Sequence, residues 1–240
     1  MTDLAIMLWK EMTEFLGNRR FIRVFALAVL AMGVLPALTF AHHSSGAVVG
    51  QPPIFALFRV IYVLFATVMV VAQTAPDLVL HERVGHTLEY LLTTRLPDAA
   101  IFGAKILAAF VVGYLAALLA MAVQLIAASL IGGSGWHWMF LALPLGRVAA
   151  FGVTASLGLY VAVIGTFVGV RVGEQRAAYM ITLFSVGLLL IPFLVGWLSI
   201  SLTTVWASRA AMVVSAVALI LAGLGMRLFR REMLILYLQE

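Results

Sequence analysis

Apolar residues run along the chain in six long blocks: Phe21–Phe40, Ile54–Ala75, Ile101–Ile131, Val148–Val170, Ala178–Leu198 and Ala210–Leu228. A helix needs roughly 20 mostly apolar residues to cross about 30 Å of hydrocarbon, so each block predicts a transmembrane helix. Two stretches carry a different pattern. In Thr2–Gly17, Leu4, Leu8, Met12 and Phe15 recur at helical spacing, and Asp3, Lys10, Glu11 and Glu14 are read as lying off that stripe. Such a helix is expected to lie in the membrane interface, either as an anchor alone or also touching a partner. In His81–Thr94, Val84, Leu88, Leu91 and Leu92 share one helical face, with Glu82, Arg83, His86 and Glu89 largely elsewhere. Glu82 and Glu89 near its start and Arg95 near its end suit a helix dipole, and Pro97 limits further helix. The predicted fold is all-α. An amphipathic interface helix at 1–20 precedes a six-helix transmembrane domain at 21–228. That domain includes an exposed helix at about 82–96, and a tail follows at 229–240.

Composition agrees with this reading. Hydrophobic residues are 64% of the 240 and charged residues 10%, with a mean hydropathy of +1.13; soluble domains sit near half apolar and a quarter charged. The pI near 10.0 does not point to nucleic acid, because the 15 basic residues are sorted by topology. Lys10, Arg19, Arg20, Arg23, Arg83, Arg95, Lys105, Arg171, Arg176, Arg227, Arg230 and Arg231 fall on one side of the six-span arrangement, against Arg59, Arg147 and Arg209 on the other. The positive-inside rule then places both termini and the 82–96 helix in the cytoplasm, in the inner (plasma) membrane of the cell. The chain has no cysteine, which excludes disulfides and thiol catalysis. Arg19-Arg20 followed by an apolar core resembles a signal peptide, but the amphipathic stretch before it is long for a leader, so no cleavage is expected.

Within the spans, Gly165 and Gly169 are spaced to let helices approach closely, with packing inside the subunit the favoured use and a subunit interface the alternative. Pro36 and Pro192 are expected to kink their helices. Trp136–Leu145 is too short to span and reads as an interfacial or re-entrant piece. Loops are expected at Ala41–Pro53, Gly132–Gly135 and Ser199–Ser208. No Asp or Glu falls deep in a span, where coupled carriers usually keep one. Of the neutral polar residues, Thr154, Ser156, Thr166, Thr182, Ser185 and Ser215 are expected to bond mainly their own backbone. Gln73 and Gln124 are candidates for bonds across helices or for lining a pathway. No phosphate-binding loop is present, since Gly103-Ala104-Lys105 is not one. Gly133-Ser134-Gly135 with His137 reads as a turn, not a nucleophile. Neither His42-His43 nor His81 with His86 has a ligand set for a metal. No catalytic residue and no metal site is predicted.

Glu82-Arg83, Thr87-Leu88-Glu89, Leu91-Leu92-Thr93-Thr94 and Gly103-Ala104-Lys105 together resemble the second cytoplasmic segment of the ABC type-2 transport permeases. Lys10-Glu11 before Arg19-Arg20 is similar to that family's N-terminal interface helix, and Phe229-Arg230-Arg231-Glu232 to its C-terminal end. The resemblance implies that Glu82, Arg83, Thr87, Leu88 and Glu89 form a coupling helix seated on a separate ATPase subunit, which would hold ATP and Mg. This chain would carry no cofactor. A second permease subunit, identical or not, would complete an exporter whose pathway lies between the two in the lipid bilayer. The chain departs from the family in having Arg95 where Pro is usual and Pro97 where a small polar residue is usual, which extends the helix past Arg95. Glu82 and Glu89 are expected to be partly exposed in the isolated chain, so that replacing either changes its stability by no more than about 0.5 kcal/mol. The competing classes are a membrane-embedded enzyme or assembly factor, and a passive channel.

Overall fold

The computed structural model describes residues 3–41, 54–84, 97–132, 144–199 and 204–228, and among these it is helical with no strand. Helix α1 is Asp3–Gly17, α2 Arg19–Ala41, α3 Ile54–Val84 and α4 Asp98–Gly132. Helix α5 is a continuous stretch made of Pro144–Arg147, a π-helical Val148–Val153 and Thr154–Arg171; α6 is Gln175–Ser199 and α7 Thr204–Leu228. Each of the six apolar blocks is therefore helical. Four stretches are long and apolar enough to cross a membrane: Val60–Glu82, Ala99–Ala127, Val148–Arg171 and Ala207–Gly225. The apolar part of α2, Phe21–Pro36, is shorter. The fold is that of an all-helical protein suited to a membrane.

Helices α3 and α4 run longer than the sequence suggests. At 1.5 Å per residue, the 31 residues of α3 and the 35 of α4 reach roughly 46 and 52 Å, more than hydrocarbon is thick. The block ending at Ala75 and the helix beginning near Glu82 were expected to be separate elements. Instead α3 passes through Pro76, and its last turns carry Asp77 and Glu82 into contact with other helices. Tertiary contacts thus extend a helix that propensity alone would end. Likewise α7 begins at Thr204, inside the stretch expected to be a loop. Of the Trp136–Leu145 piece, Pro144 and Leu145 are helical and the remainder lies outside the described residues.

Small residues set the packing. On α4, Ala104, Ala108, Val112, Ala116 and Ala120 repeat every four positions, and all are buried. This ridge lets α2 and α3 come close, because small side chains remove the bulk that separates helix backbones. A Cβ on Gly33 of α2 would lie 3.0 Å from the carbonyl oxygen of Ala120. Gly165 and Gly169 of α5 face Ala75 and Pro76 of α3 in the same chain: a Cβ on Gly169 would lie 2.8 Å from Pro76 Cα. The glycine pair therefore serves packing inside the subunit. Hydroxyls in the spans mostly bond their own helices, Thr166 to Ala162 O and Thr182 to Ala178 O, while Ser156 also meets Ser215 across α5 and α7 at 2.8 Å.

The chain turns sharply between α1 and α2. Asn18 accepts the Phe21 N–H on its side chain at 3.2 Å, capping an otherwise orphaned donor at the start of α2. Phe15, Phe21 and Phe25 pack in tilted pairs across this corner, with centroids 4.7 and 5.9 Å apart. The corner lays α1 against the first turns of α4, where Met7 packs with Ile101 and Ala104.

Candidate functional site

The start of α4, the end of α3 and the middle of α1 meet around one ammonium group. Lys105 lies two turns into α4, next to Ala104 of the buried ridge, and its side chain is 1% exposed. Its Nζ donates to the Leu78 carbonyl at 3.0 Å and to Glu11 Oε1 at 3.1 Å, and lies 2.7 Å from Glu82 Oε2. The ammonium donates to two of these oxygens and forms an ion pair with the third, all from two helices. The other oxygen of Glu82 accepts from Lys10 Nζ at 2.8 Å. Lys10 is also 3.4 Å from Glu14 and 3.9 Å from Glu11. Two buried carboxylates thus share two ammoniums, one dry and one at the rim, and their charges balance only with the rim lysine included.

Burial of α1 explains the arrangement. Its bundle-facing residues are Met7, Glu11 and Phe15, flanked by Leu4, Leu8 and Met12. Glu11 therefore sits inside the apolar stripe, not off it as the pattern suggested, and it is fully buried. A carboxylate there is costly unless paired, and Lys105 pairs it. Glu11 Oε2 has no hydrogen-bond partner among the described residues. The opposite face of α1 shows Ile6, Trp9 at 74% exposure, and Leu16. Helix α1 thus has one apolar edge against the bundle and a second that is exposed.

Glu82 is also corrected. Expected on an exposed helix, it lies in α3 itself at 3% exposure. Arg83 lies in the last turn of α3. Thr87, Leu88 and Glu89 lie outside the described residues, as does most of the 82–96 helix and the whole 229–240 tail. Gln73 is half-buried, and Gln124 is buried with neither end of its amide hydrogen-bonded among the described residues. Lys105 was missed as a site residue. Its signal was a lone cation in an alanine-rich run, where an ionisable group needs a named partner. A second polar link joins the same end of the bundle: Gln175 at the start of α6 donates to Asp77 of α3 at 2.9 Å. Among the described residues no group of three or more His, Asp or Glu could hold a metal.

The electrostatics of α1 follow from burial. Burial raises the Glu11 pKa above its ordinary 4.5, helped by the charge of Glu82 and opposed by Lys105 and Lys10. For Lys10, burial works against the charge. The hydrogen bond and charge of Glu82, with Glu11 and Glu14, outweigh it and raise the pKa above 10.5. A carboxyl whose folded pKa is raised contributes full stability below pH 4.5, and that contribution is lost as pH climbs through the folded value. Gln at position 11 cannot ionise and keeps an acceptor for Lys105. The melting temperature of Glu11→Gln should match the native chain near pH 4.5 and exceed it increasingly toward pH 7. A melting temperature below the native one at pH 7, with the gap widening as pH rises, would contradict this account.

No family model matches the chain, and no curated protein matches it. Fold and site therefore define a class only: an all-helical protein with four long apolar helices fit to cross a membrane, and a buried ion cluster at one end.

Proposed function

We propose that the chain is the transmembrane permease subunit of an ATP-driven ABC type-2 exporter, with a helix after α3 that seats on a separate ATPase subunit. The observation that carries this reading is a convergence. Lys10-Glu11 comes from one stretch that resembles the permease family, and Glu82 and Lys105 from the two ends of the other, and they meet in one cluster with the contacts given above. That cluster lies at the root of the 85–96 segment. A docking helix that passes force to the spans needs a rigid root. Three helices held by buried charges supply one, since breaking such a group exposes an uncompensated buried ion. The family's pairing of two permeases with two ATPases would place the pathway between two copies of this chain, or between this chain and a relative. In this reading the basic end of the bundle faces the cytoplasm of the inner membrane, and Glu82, Arg83, Thr87, Leu88 and Glu89 form the coupling segment.

The test is reconstitution with the partner. The chain purified alone should hydrolyse no ATP, because it has no phosphate-binding loop. Affinity purification from its own membranes should bring down a nucleotide-binding ATPase, and Glu89→Ala should weaken that association. Losing one member of a desolvated interfacial charge pair costs about 2–5 kcal/mol of binding. Recovery of the chain without any ATPase, in mild detergent and in lipid alike, would overturn the reading.

A further inference from the structure

Charge is unevenly spread along the length of the bundle. Every acidic residue of the described helices stands at the end that holds the ion cluster: those of α1, Asp77 and Glu82 late in α3, Asp98 at the start of α4, and Glu174 just before α6. The opposite end is basic only. Arg59 lies near the start of α3, Arg147 near the start of α5 and Arg209 near the start of α7. The stretches 42–53, 133–143 and 200–203, which join helices there, contain no Asp or Glu either. Positive charge at this end therefore has no counterion among the described residues.

Two of these arginines share one level. Helices α5 and α7 run side by side in the same direction: Ser156 meets Ser215 at 2.8 Å, and further along a Cβ at Gly225 would lie 3.8 Å from Phe167. Arg147 stands nine residues before Ser156 and Arg209 six before Ser215. At about 1.5 Å per residue the two are level to within about 5 Å, and both are exposed. Each heads an apolar strip. Phe151 follows Arg147 by four positions and is 38% exposed; Met212 and Val213 follow Arg209 by three and four and are 69% and 63% exposed. Residues three or four apart stand one above the other on a helix. A cation thus caps an exposed apolar strip on each of two adjacent helices. Free phosphate would use only the cations, whereas a phospholipid uses both parts.

We infer that Arg147 and Arg209 form a headgroup site for an anionic phospholipid, holding its phosphate while its acyl chains lie along Phe151, Met212 and Val213. The planar guanidinium fork matches the paired oxygens of a phosphate. The arginine stem lies along apolar surface while its charged head stays at the water. The lipid supplies the negative charge that this end of the chain lacks. Nothing in this site depends on the permease reading, or on which end of the bundle faces the cytoplasm.

The chain has no cysteine, so a fluorophore on Met212→Cys reports the lipid at this one place. The full chain is reconstituted in bilayers that mix brominated with plain lipids, and quenching compares phosphatidylglycerol with phosphatidylcholine. Phosphatidylglycerol should be preferred about threefold to tenfold, the scale of one or two arginines beside an anionic headgroup. The same fluorophore on Phe184→Cys, exposed on α6, should show no preference. Arg147→Gln combined with Arg209→Gln should abolish the preference at Met212→Cys, and Arg147→Lys with Arg209→Lys should keep most of it. Both arginines are exposed, so the melting temperatures of these variants should stay near native. Excess inorganic phosphate at constant ionic strength should leave the preference in place. Its loss to inorganic phosphate would assign the site to free phosphate and overturn the lipid as occupant. An equal preference at Met212→Cys and Phe184→Cys, or one that survives the double Gln variant, would overturn the site itself.

Discussion

Lys105→Ala should lower the unfolding free energy of the isolated chain by about 3–5 kcal/mol, the range for removing one partner of a buried ion pair. Its removal leaves Glu11 and Glu82 facing each other with only the rim lysine nearby, and also strands the Leu78 carbonyl, which accepts from Lys105 at 3.0 Å. Glu82→Ala should act in the same direction. It leaves Lys105 with Glu11 alone and cuts the bond to Lys10, so the near-neutral outcome expected for an exposed Glu82 does not apply. The decisive comparison is with the variant in which Glu11, Glu82 and Lys105 are all Met. Replacing a buried ionic group as a whole by apolar residues of similar volume is often neutral or stabilising, so this triple variant should recover most of what Lys105→Ala loses. Denaturant unfolding in detergent, followed by helical circular dichroism, reads all three. A Lys105→Ala chain that unfolds at the native midpoint would show that the cluster carries no stability. A triple variant as weak as the single one would show that packing volume, and not charge, is what holds this end together.

The sequence made the helices readable because their signal is repeated many times over. Each apolar block has enough residues to outvote any local exception, and all six blocks are helical. The site was harder to read because its members are far apart in the chain: Glu11 and Lys105 are 94 positions apart, and Lys10 and Glu82 are 72 apart. Local periodicity places Glu11 between Leu8 and Phe15 on a buried edge, yet a charged residue there is naturally assigned to the wet face. Only the cation on α4 reverses that assignment, and nothing near Glu11 announces it. Lys105 was visible as an oddity in an alanine-rich run, but its partner was not. The extent of α3 was misread for a related reason. Pro76 and the charges after it look like the end of a span, whereas Asp77 and Glu82 each find a partner on another helix and keep the helix going. The α5 glycines were legible as a packing motif, since closely spaced glycines have few other uses in a span. The alanine ridge of α4 was the stronger version of the same signal and was hidden in a run where nearly every residue is apolar.

That ridge and the two glycines give the other large effect expected. Helix α3 is squeezed from both sides, by Gly113 of α4 against Val71 and by Gly169 of α5 against Pro76. A Cβ added at Gly113 would strike Val71 Cγ2, and Val71 is fully buried, so it cannot swing into open space. A Cβ added at Gly169 would lie 2.8 Å from Pro76 Cα and 2.9 Å from Pro76 O. Here the obstacle is backbone, held by a proline ring whose φ is fixed. Both Gly113→Ala and Gly169→Ala should therefore destabilise by about 1–3 kcal/mol through overpacking. They should differ in whether they can be rescued. Adding Val71→Ala removes the atom that Gly113→Ala strikes, so the double variant should be more stable than Gly113→Ala alone. The coupling energy should be of the size seen for side chains in contact, about 0.5–3 kcal/mol. Gly169→Ala has no such remedy, because no side-chain trimming at position 76 moves its Cα or carbonyl, and Val71→Ala added to it should be merely additive. Melting temperatures of the singles and both doubles complete the cycle. Equal stability of Gly113→Ala with and without Val71→Ala would show that α3 and α4 are not in the contact drawn for them.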